Sequence, residues 1–581
     1  MNPFASYRML ITPLSPIHVG TGESYEPTNY VIEDGVLHEF DTGAVMAALS
    51  DADRKALLEI GNRRPDTGMI EALQRFFYER REALMAHAIQ RIPVLPGVAG
   101  FYEKRVGQTA NREADGKKVV NRLEIDRISF NPVTRLPVLY GSSIKGAIRT
   151  ALLDGVNGGA GLLKTEDRRT EKRRDENNQE LQNRLFQYRA GKFELDPMRL
   201  VQLSDAAWNS EVGLPAAQVH LAVNRKKAPV VDASGVLRKS KADELYQILE
   251  CVPGWRYRAF SGQLNLQLLD GLGERHQQKI PVAPLRFDTA QITHACNAFY
   301  RPVLVSEMAS MRERGYLDPA WDTAIQQTLT ACTAKLNRGE VFLLRVGRHS
   351  GAESVTLRGA RDGHIKIMLD KDPETRKQRF AYESDARTLW LAADEKDQST
   401  NLLPFGWLLV ELLPMNTAVT DWPELKAACE PHLAAARAFK DKLAAQRVRL
   451  EQAKVEAEAK RREEEEKARR AAEEEAQRQR EEDERQARLD ALTPNLRHIE
   501  EFKVAFAARA EQLRGGKDRQ NAEYHQRAQK LAKDALEGTD WTAEEKHAAA
   551  DAIAEWLPKV VERIDKDALK KLKLGSLRAQ P

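Results

Sequence analysis

Apolar and polar residues alternate at two periods along this chain, and the switch between them marks out the elements. "YRMLITP" (7–13) alternates with the two-residue period of a strand, and "NYVIEDGVLHEF" (29–40) reads as a hairpin turning on Asp34-Gly35. From residue 67 the period lengthens: Ile70, Leu73, Phe77, Leu84 and Ile89 recur at helical spacing, which predicts a helix over 68–91 ending before Pro93. A strand then leads into "LPVLYGSSIKGAIRTALLDG" (136–155), where Ile144, Ala147, Ile148, Ala151 and Leu152 form one apolar helix face. Strand patterns return at 256–268, 340–361 and 404–414, the second interrupted by a Gly-rich turn. Strands mixed with helices over 1–415 predict an α+β body, built as two related sub-lobes.

The pattern then changes character. From Leu433 to Leu492 there is neither Gly nor Pro, and within 451–490 the large aliphatic residues are Val455 and Leu489 alone. Two such residues cannot supply a coiled-coil seam. Strong helix formers with opposite charges four apart predict one long solvated helix, a rigid arm of about 80 Å. After Pro494 apolar periodicity resumes (Ile499, Phe502, Phe506, Leu513; Tyr524, Leu531, Leu536; Trp541, Ile553, Trp556, Val560, Ile564), predicting a small helical domain with a basic tail. The expected domains are therefore a body at 1–415, a linker at 416–432, the charged helix at 433–492 and a helical C-terminal domain at 493–581.

Composition narrows the class. The 581 residues suffice for several domains, and the net charge of +4 decides little by itself. Residues 451–490 carry fifteen acidic and eleven basic side chains, which leaves about +8 on the rest and a mild preference for a polyanion. Cys251, Cys296, Cys332 and Cys429 lie far apart with no zinc spacing, so they read as reduced, buried thiols. There is no signal-peptide pattern and no run near the roughly 18 apolar residues of a membrane span. The expectation is a soluble cytoplasmic protein with no membrane partner, cofactor or metal.

"GSSIKGAIR" (141–149) raises the chemical question. Ser142 or Ser143 can cap the helix, whose amide dipoles then point outward as an anion site. Lys145 and Arg149, four apart, lie on one edge where they can reach phosphates, while Gly141 and Gly146 remove side chains where another backbone must come close. The same segment also fits a capped amphipathic helix with two solvated cations. It is not a Walker A loop, because the Lys precedes the second Gly. "SPIHVGTGESYEP" (15–27) and "RVGRHSGAESVTLRG" (345–359) each place a Gly-rich turn after an apolar strand. His18, Gly20 and Thr21 sit in the first, and Gly347, Arg348, His349, Ser350 and Gly351 in the second, as anion nests or as ordinary turns. "RRTEKRRD" (168–175) and "NRKK" (224–227) are phosphate contacts or solvated faces. Phe186, Tyr188 and Trp208 fit base stacking or core packing. No HExxH, GxSxG or paired nucleophile and base appears.

Together, "SPIHVGTGE", "YVIEDG", "PVLYGSSIKGAIRTAL" and "RVGRHSGAESVTLRG" resemble the RAMP superfamily of CRISPR effector subunits over 1–415. The likeness is greatest to the subunits that cap the 3′ end of the guide in type III-A (Csm) complexes. Nothing resembles that family from Leu433 onward. The resemblance implies a modified ferredoxin-like or RRM core with insertions, and guide phosphates held by Gly141, Ser142, Ser143, Lys145 and Arg149. It implies that His18, Gly20, Thr21 and residues 347–351 line the same channel, and that 164–192 or 224–241 forms a thumb between guide and target. The partners it implies are crRNA, through it target RNA, and other Csm-type RAMP subunits; host nucleases or an unknown protein are expected at the C-terminal domain, which the resemblance does not cover. In related subunits that cut RNA, the cleaving aspartate follows the first Gly-rich loop. Here "PTNYVI" puts Asn29 at that point, with Glu26 and Glu33 as nearby carboxylates, and Asn cannot act as acid, base or metal ligand. The expectation is a non-catalytic subunit. A metal-dependent ribonuclease and a docking protein acting through its C-terminal helices are the alternatives.

Overall fold

The structure is a computed structural model that describes residues 3–112, 118–120, 122–166, 173–189, 191–232, 234–236, 238–269, 279–361 and 363–579. It divides into two compact units, Met1–Lys454 and Val455–Pro581.

The first unit is mixed α+β and holds two large sheets. In one, the strand order is Val341–Arg345, Trp407–Pro414, Phe4–Pro13, Phe260–Gln267, Ala206–Trp208, Val138–Leu139, with Val201–Leu203 also pairing to Phe260–Gln267. Every pairing in it is antiparallel. The strand Phe4–Pro13 lies in the middle, Met9 facing Gly262 on one side and Leu412 on the other. Its second half is wholly buried. Helices Gly141–Asn157 and Thr289–Glu313 pack on each other, and Thr289–Glu313 also packs on the strand Val341–Arg345. Tyr300 donates its hydroxyl to the Ala147 carbonyl at 3.0 Å. The predicted apolar face of the first helix, Ile144 to Leu152, is the buried one.

The second sheet runs Gly20–Tyr25, Ile125–Ile128, Tyr246–Cys251, Gln218–Lys226, Thr388–Ala393, Leu403–Pro404. Its second and third strands pair in parallel. Gln218–Lys226 is buried over nearly its whole length, as a strand covered on both faces must be. A third, three-stranded sheet contains the predicted hairpin, Tyr30–Glu33 with Val36–Glu39, and adds Gln90–Pro93. Asp34 and Gly35 both have positive φ, 52° and 70°, the backbone that a tight two-residue hairpin turn requires.

Some elements differ from the sequence reading. The helix expected over 68–91 is two, Thr67–Glu79 and Arg81–Ala86, broken at Arg80 and followed directly by the strand Gln90–Pro93. Helical spacing persisted because Leu84 and Phe77 reach the same small core from both pieces. Residues 416–432 include the helix Pro423–Cys429, and Trp422, Leu425 and Cys429 are buried in the main core. "NRKK" is mostly strand: Arg225 is buried, donating to the carbonyls of Lys396 and Gln398, and Lys227 pairs with Glu353 at 2.7 Å. All four cysteines are free and buried. Among the described residues, no helix is long and apolar enough to cross a membrane.

The charged helix is Ala434–Asp490, with no buried residue and pairs such as Lys467–Glu463 (2.7 Å) and Arg470–Glu466 (2.6 Å) along it. Within the second unit, helices Pro494–Leu513, Glu523–Glu537 and Ala543–Val560 enclose a core of Ile499, Phe502, Phe506, Leu531, Ile553 and Leu557. Each begins with a Ser/Thr-type cap or a Pro in its first turn except the middle one, which follows Ala522.

Candidate nucleic-acid interface

The helix Gly141–Asn157 starts at least two residues earlier than a serine cap would allow. Tyr140 is its N-cap and offers no side-chain hydrogen bond, so Ser142 and Ser143 stand inside the first turn, Ser142 exposed and Ser143 half-buried. The Gly141 amide donates instead to Asp205 Oδ1 at 2.7 Å. A carboxylate of the chain itself therefore meets the positive end of the dipole. Gly141 is required by packing: a Cβ there would stand 2.7 Å from the Ser204 carbonyl and 2.8 Å from that of Leu203. Gly146 is different. It is exposed and a Cβ would meet nothing within 4 Å, so no close approach within the chain explains it.

The two cations of this edge are not equivalent. Arg149 donates to both oxygens of Asp196 (2.9 and 3.1 Å) and to Gln182 Oε1 (2.7 Å), beneath the rings of Phe186 and Tyr188. That guanidinium is spent inside the fold. Lys145 is half-buried, and burial pulls its pKa down, opposed by the Asp196 charge. It forms no ion pair among the described residues, which leaves it as the available cation of the pair. Phe186 and Trp208 are core residues, and Tyr188 packs beside them.

The other two stretches meet each other. His18 is buried and donates Nδ1–H to the Glu250 carbonyl at 2.7 Å; burial holds its pKa low. A Cβ on Gly20 would come 2.9 Å from His18 Nε2. Thr21 accepts from the Glu23 amide through its hydroxyl at 3.0 Å, a local turn. Against this loop lies the turn at 347–351. Gly347, at φ +84°, would drive any Cβ into the His18 carbonyl, and the Arg348 amide donates to that carbonyl at 2.8 Å. The Arg348 guanidinium pairs with Asp126, which also accepts from Ser24 Oγ at 3.0 Å. His349 stacks on Trp390 with centroids 4.5 Å apart and hydrogen-bonds Gln247 Oε1 at 2.9 Å; burial pushes its pKa down to about 3. Ser350 is half-buried and Gly351 exposed, above the buried Arg345, whose guanidinium donates to Glu307 at 2.6 Å and to the Phe405 carbonyl at 2.9 Å.

The serine-bearing helix joins this assembly indirectly at one end and directly at the other. Ser129 links Val19 and Val138 through backbone hydrogen bonds of 2.6 and 2.9 Å, just ahead of the helix. Farther along, Arg358 reaches the buried Asp154 of the helix with both its amide and its Nε, each at 2.7 Å. Thus 347–351 lies on the first loop while 358 lies on the later part of the helix.

Beneath the first loop is a polar network that the sequence reading missed. Glu250 is buried and accepts from the Ile128 amide (3.1 Å) and the Tyr25 hydroxyl (3.3 Å); burial raises its pKa to about 7. Arg127 lies over Tyr25 and Phe130 and pairs with Glu39 at 3.2 Å, and Arg135 pairs with the same carboxylate at 2.7 Å. The available signal was a lone charged residue among Ile248, Leu249 and Cys251 of the strand Tyr246–Cys251, where an unpartnered charge would be costly.

Asn29 is used locally, accepting from the Glu26 amide at 3.0 Å. Glu33 pairs with Arg81 at 2.8 Å, and Glu26 is exposed. No group of three or more His, Cys, Asp or Glu able to hold a metal occurs among the described residues. Residues 168–172 of "RRTEKRRD" lie outside the described residues, as do 167 and 190 of the 164–192 stretch and 233 and 237 of 224–241. The described part of 164–192 is a short hairpin and the helix Asn178–Phe186, tied by Arg184–Glu176 at 2.6 Å.

Residues 10–253, under half of the chain, match the model of the RAMP superfamily, the class that the sequence motifs resemble. That span contains the first loop and the serine-bearing helix and stops short of 347–351. No curated protein matches the chain. Among solved structures, it is similar to a chain of a Csm–crRNA–target RNA ternary complex of a type III-A CRISPR-Cas system. The identity is 15%, with 70% of this chain and 100% of that chain covered, at a TM-score of 0.38. It is also similar to Csm5 of T. onnurineus, at 15% identity over 69% of this chain and 99% of that one, with a TM-score of 0.35.

Proposed function

We propose that this chain is a non-catalytic crRNA-binding subunit of a type III-A (Csm) interference complex. It caps the 3′ end of the guide, supports guide maturation and meets target RNA through the guide and other Csm-type subunits. The observation that carries this reading is the RAMP superfamily match over 10–253, which encloses both the first loop and "GSSIKGAIR".

Three features support it. The strands Trp407–Pro414, Phe4–Pro13, Phe260–Gln267 and Val201–Leu203 lie side by side and antiparallel, with the helices Gly141–Asn157 and Thr289–Glu313 packed on each other, an arrangement compatible with a ferredoxin-like core. The exposed edge made by Ser142, Lys145 and Gly146 keeps two hydroxyl or ammonium donors beside an open glycine, room for a sugar-phosphate backbone. The first loop and the turn at 347–351 are held against each other. On this reading, phosphates contact Ser142, Ser143 and Lys145, while Gly141 and Arg149 position the helix. Gly20, Thr21, Arg348, Ser350 and Gly351 line the continuation, while His18 is buried beneath it and His349 is stacked on Trp390. Binding is backbone-driven and indifferent to sequence, hence salt-sensitive. The separate unit at 455–581 is the docking end for a further protein, such as a host nuclease.

The test is titration of labelled guide RNA into the purified chain over a series of salt concentrations, with Mg²⁺ or Mn²⁺ and with EDTA. The expected result is tight, salt-dependent binding of the guide with the RNA left intact. Salt-independent or absent binding, or defined EDTA-sensitive cuts, would replace this reading with another, the second outcome favouring a metal-dependent ribonuclease.

A further inference from the structure

Within the first unit, a cavity of about 650 Å³ lies under the start of the charged helix. That volume is in the range of small-ligand pockets. Pro16, Pro93, Pro96, Pro215 and Pro253 line it, giving walls of fixed backbone that lack an N–H. Trp321 and Phe439 add aromatic surface, and Ala435 and Ala436 are the small residues the helix presents to it. Lys442 ties the helix down by donating to the Asp34 carbonyl at 2.6 Å.

One charge in this wall lacks its counterpart. Arg256 is 5% exposed, yet no carboxylate lies within ion-pair distance of it among the described residues. Its Nη1 donates to the Gly254 carbonyl at 3.2 Å, and its Nε has no partner. The neighbouring Trp255 stacks on His432 with centroids 4.7 Å apart, and its indole N–H is likewise unpartnered. A buried guanidinium without an anion is costly to keep. His220 and His432 also line the cavity, and burial holds both below the usual imidazole range, so neither adds positive charge at neutral pH. Asp34 lines it too, as an exposed residue of the hairpin turn.

We propose that this cavity is a binding site for an apolar carboxylate, its carboxyl group paired with the Arg256 guanidinium and its hydrocarbon body among the prolines, Trp321 and Phe439. The cations Arg256 and Lys442 against the one carboxylate of Asp34 leave one net positive charge in the lining, which matches a monoanion; a phosphate dianion would keep an uncompensated charge in an apolar wall. The proposal is independent of the RNA reading.

Calorimetric titration of the full chain tests it with two acids, laurate and 2-naphthoate, and their neutral counterparts, dodecanol and 2-naphthylmethanol. At least one acid is expected to bind, about ten-fold or more tighter than its alcohol; which acid binds distinguishes an aliphatic from an aromatic body. Arg256→Met, which keeps the length and removes the charge, is expected to lose that preference while melting at the same or a higher temperature. Ala436→Trp, made from the half-buried helix side, is expected to block both acids. The proposal is overturned if neither acid binds, if alcohols bind as well as acids, or if binding survives both substitutions. A lowered melting temperature for Arg256→Met with acid binding intact would also overturn it, since the guanidinium would then be purely structural.

Discussion

The Arg348 amide donates to the His18 carbonyl at 2.8 Å, and Gly347 sits against that same carbonyl with no room for a side chain. Two glycine-rich loops from distant parts of the chain are thereby fixed as one surface. Gly347→Ala is expected to destabilise the body by about 2 kcal/mol, because it adds a Cβ at φ +84° as well as a clash. Thermal unfolding measures the first effect and guide loading the second. An alanine variant with unchanged melting and unchanged loading would mean that the two loops do not depend on this contact.

Lys145 and Arg149 should separate in their effects. Arg149→Ala leaves Asp196 half-buried without its cation and is expected to cost about 1–3 kcal/mol of stability. Lys145→Ala should leave melting nearly unchanged while weakening guide binding and reducing the slope of log K against log salt by about one phosphate's worth. Equal losses of stability from both would contradict the division of roles. Gly146→Ala belongs with this pair: the free protein should gain about 0.5–1 kcal/mol of helix stability, and larger side chains there should impair guide binding.

Acid should destabilise the first unit early. Burial lowers His38 and His349 to about 3 and His220 to about 4. Each is a histidine whose folded pKa lies below its unfolded one, so the unfolded state binds more protons and stability falls as pH drops from 6.5 toward those values. The slope is about 1.4 kcal/mol per pH unit for each fully engaged group. Glu250 works in the opposite sense: raised to about 7, it contributes stability below pH 4.5 that is lost as pH rises through 7. Three histidines against one glutamate make the fall on acidification dominate between pH 6.5 and 4.5. Denaturant midpoints measured across that window check it, and His38→Leu should flatten the slope, since neither ring nitrogen of His38 has a partner.

Truncation should depend sharply on where the helix is cut. Ending the chain after Lys454 is expected to leave the body's melting transition intact, since Leu450 and Phe439 remain in place. Ending it after Leu433 removes both, along with the Lys442 tie, and should lower the transition. Scanning calorimetry of the two truncated chains decides the matter.

Local pattern alone determined much of this protein. The hairpin at Asp34-Gly35, the buried face from Ile144 to Leu152, the charged helix without a seam and the apolar positions of the C-terminal helices were legible because each depends on neighbours within a few residues. Periods of 2 and 3.6 encode such relations directly. The break at Arg80 was not legible, because both pieces feed one core and keep one spacing. Tertiary structure alone decided what the polar groups do. Asp205 takes the Gly141 amide, Asp196 takes Arg149, and Glu250 is buried with Tyr25 near the Arg127–Glu39 pair. A charged side chain carries no period that names its partner. Burial and the alignment of distant strands choose that partner, and so decide which cations remain at the surface for a ligand.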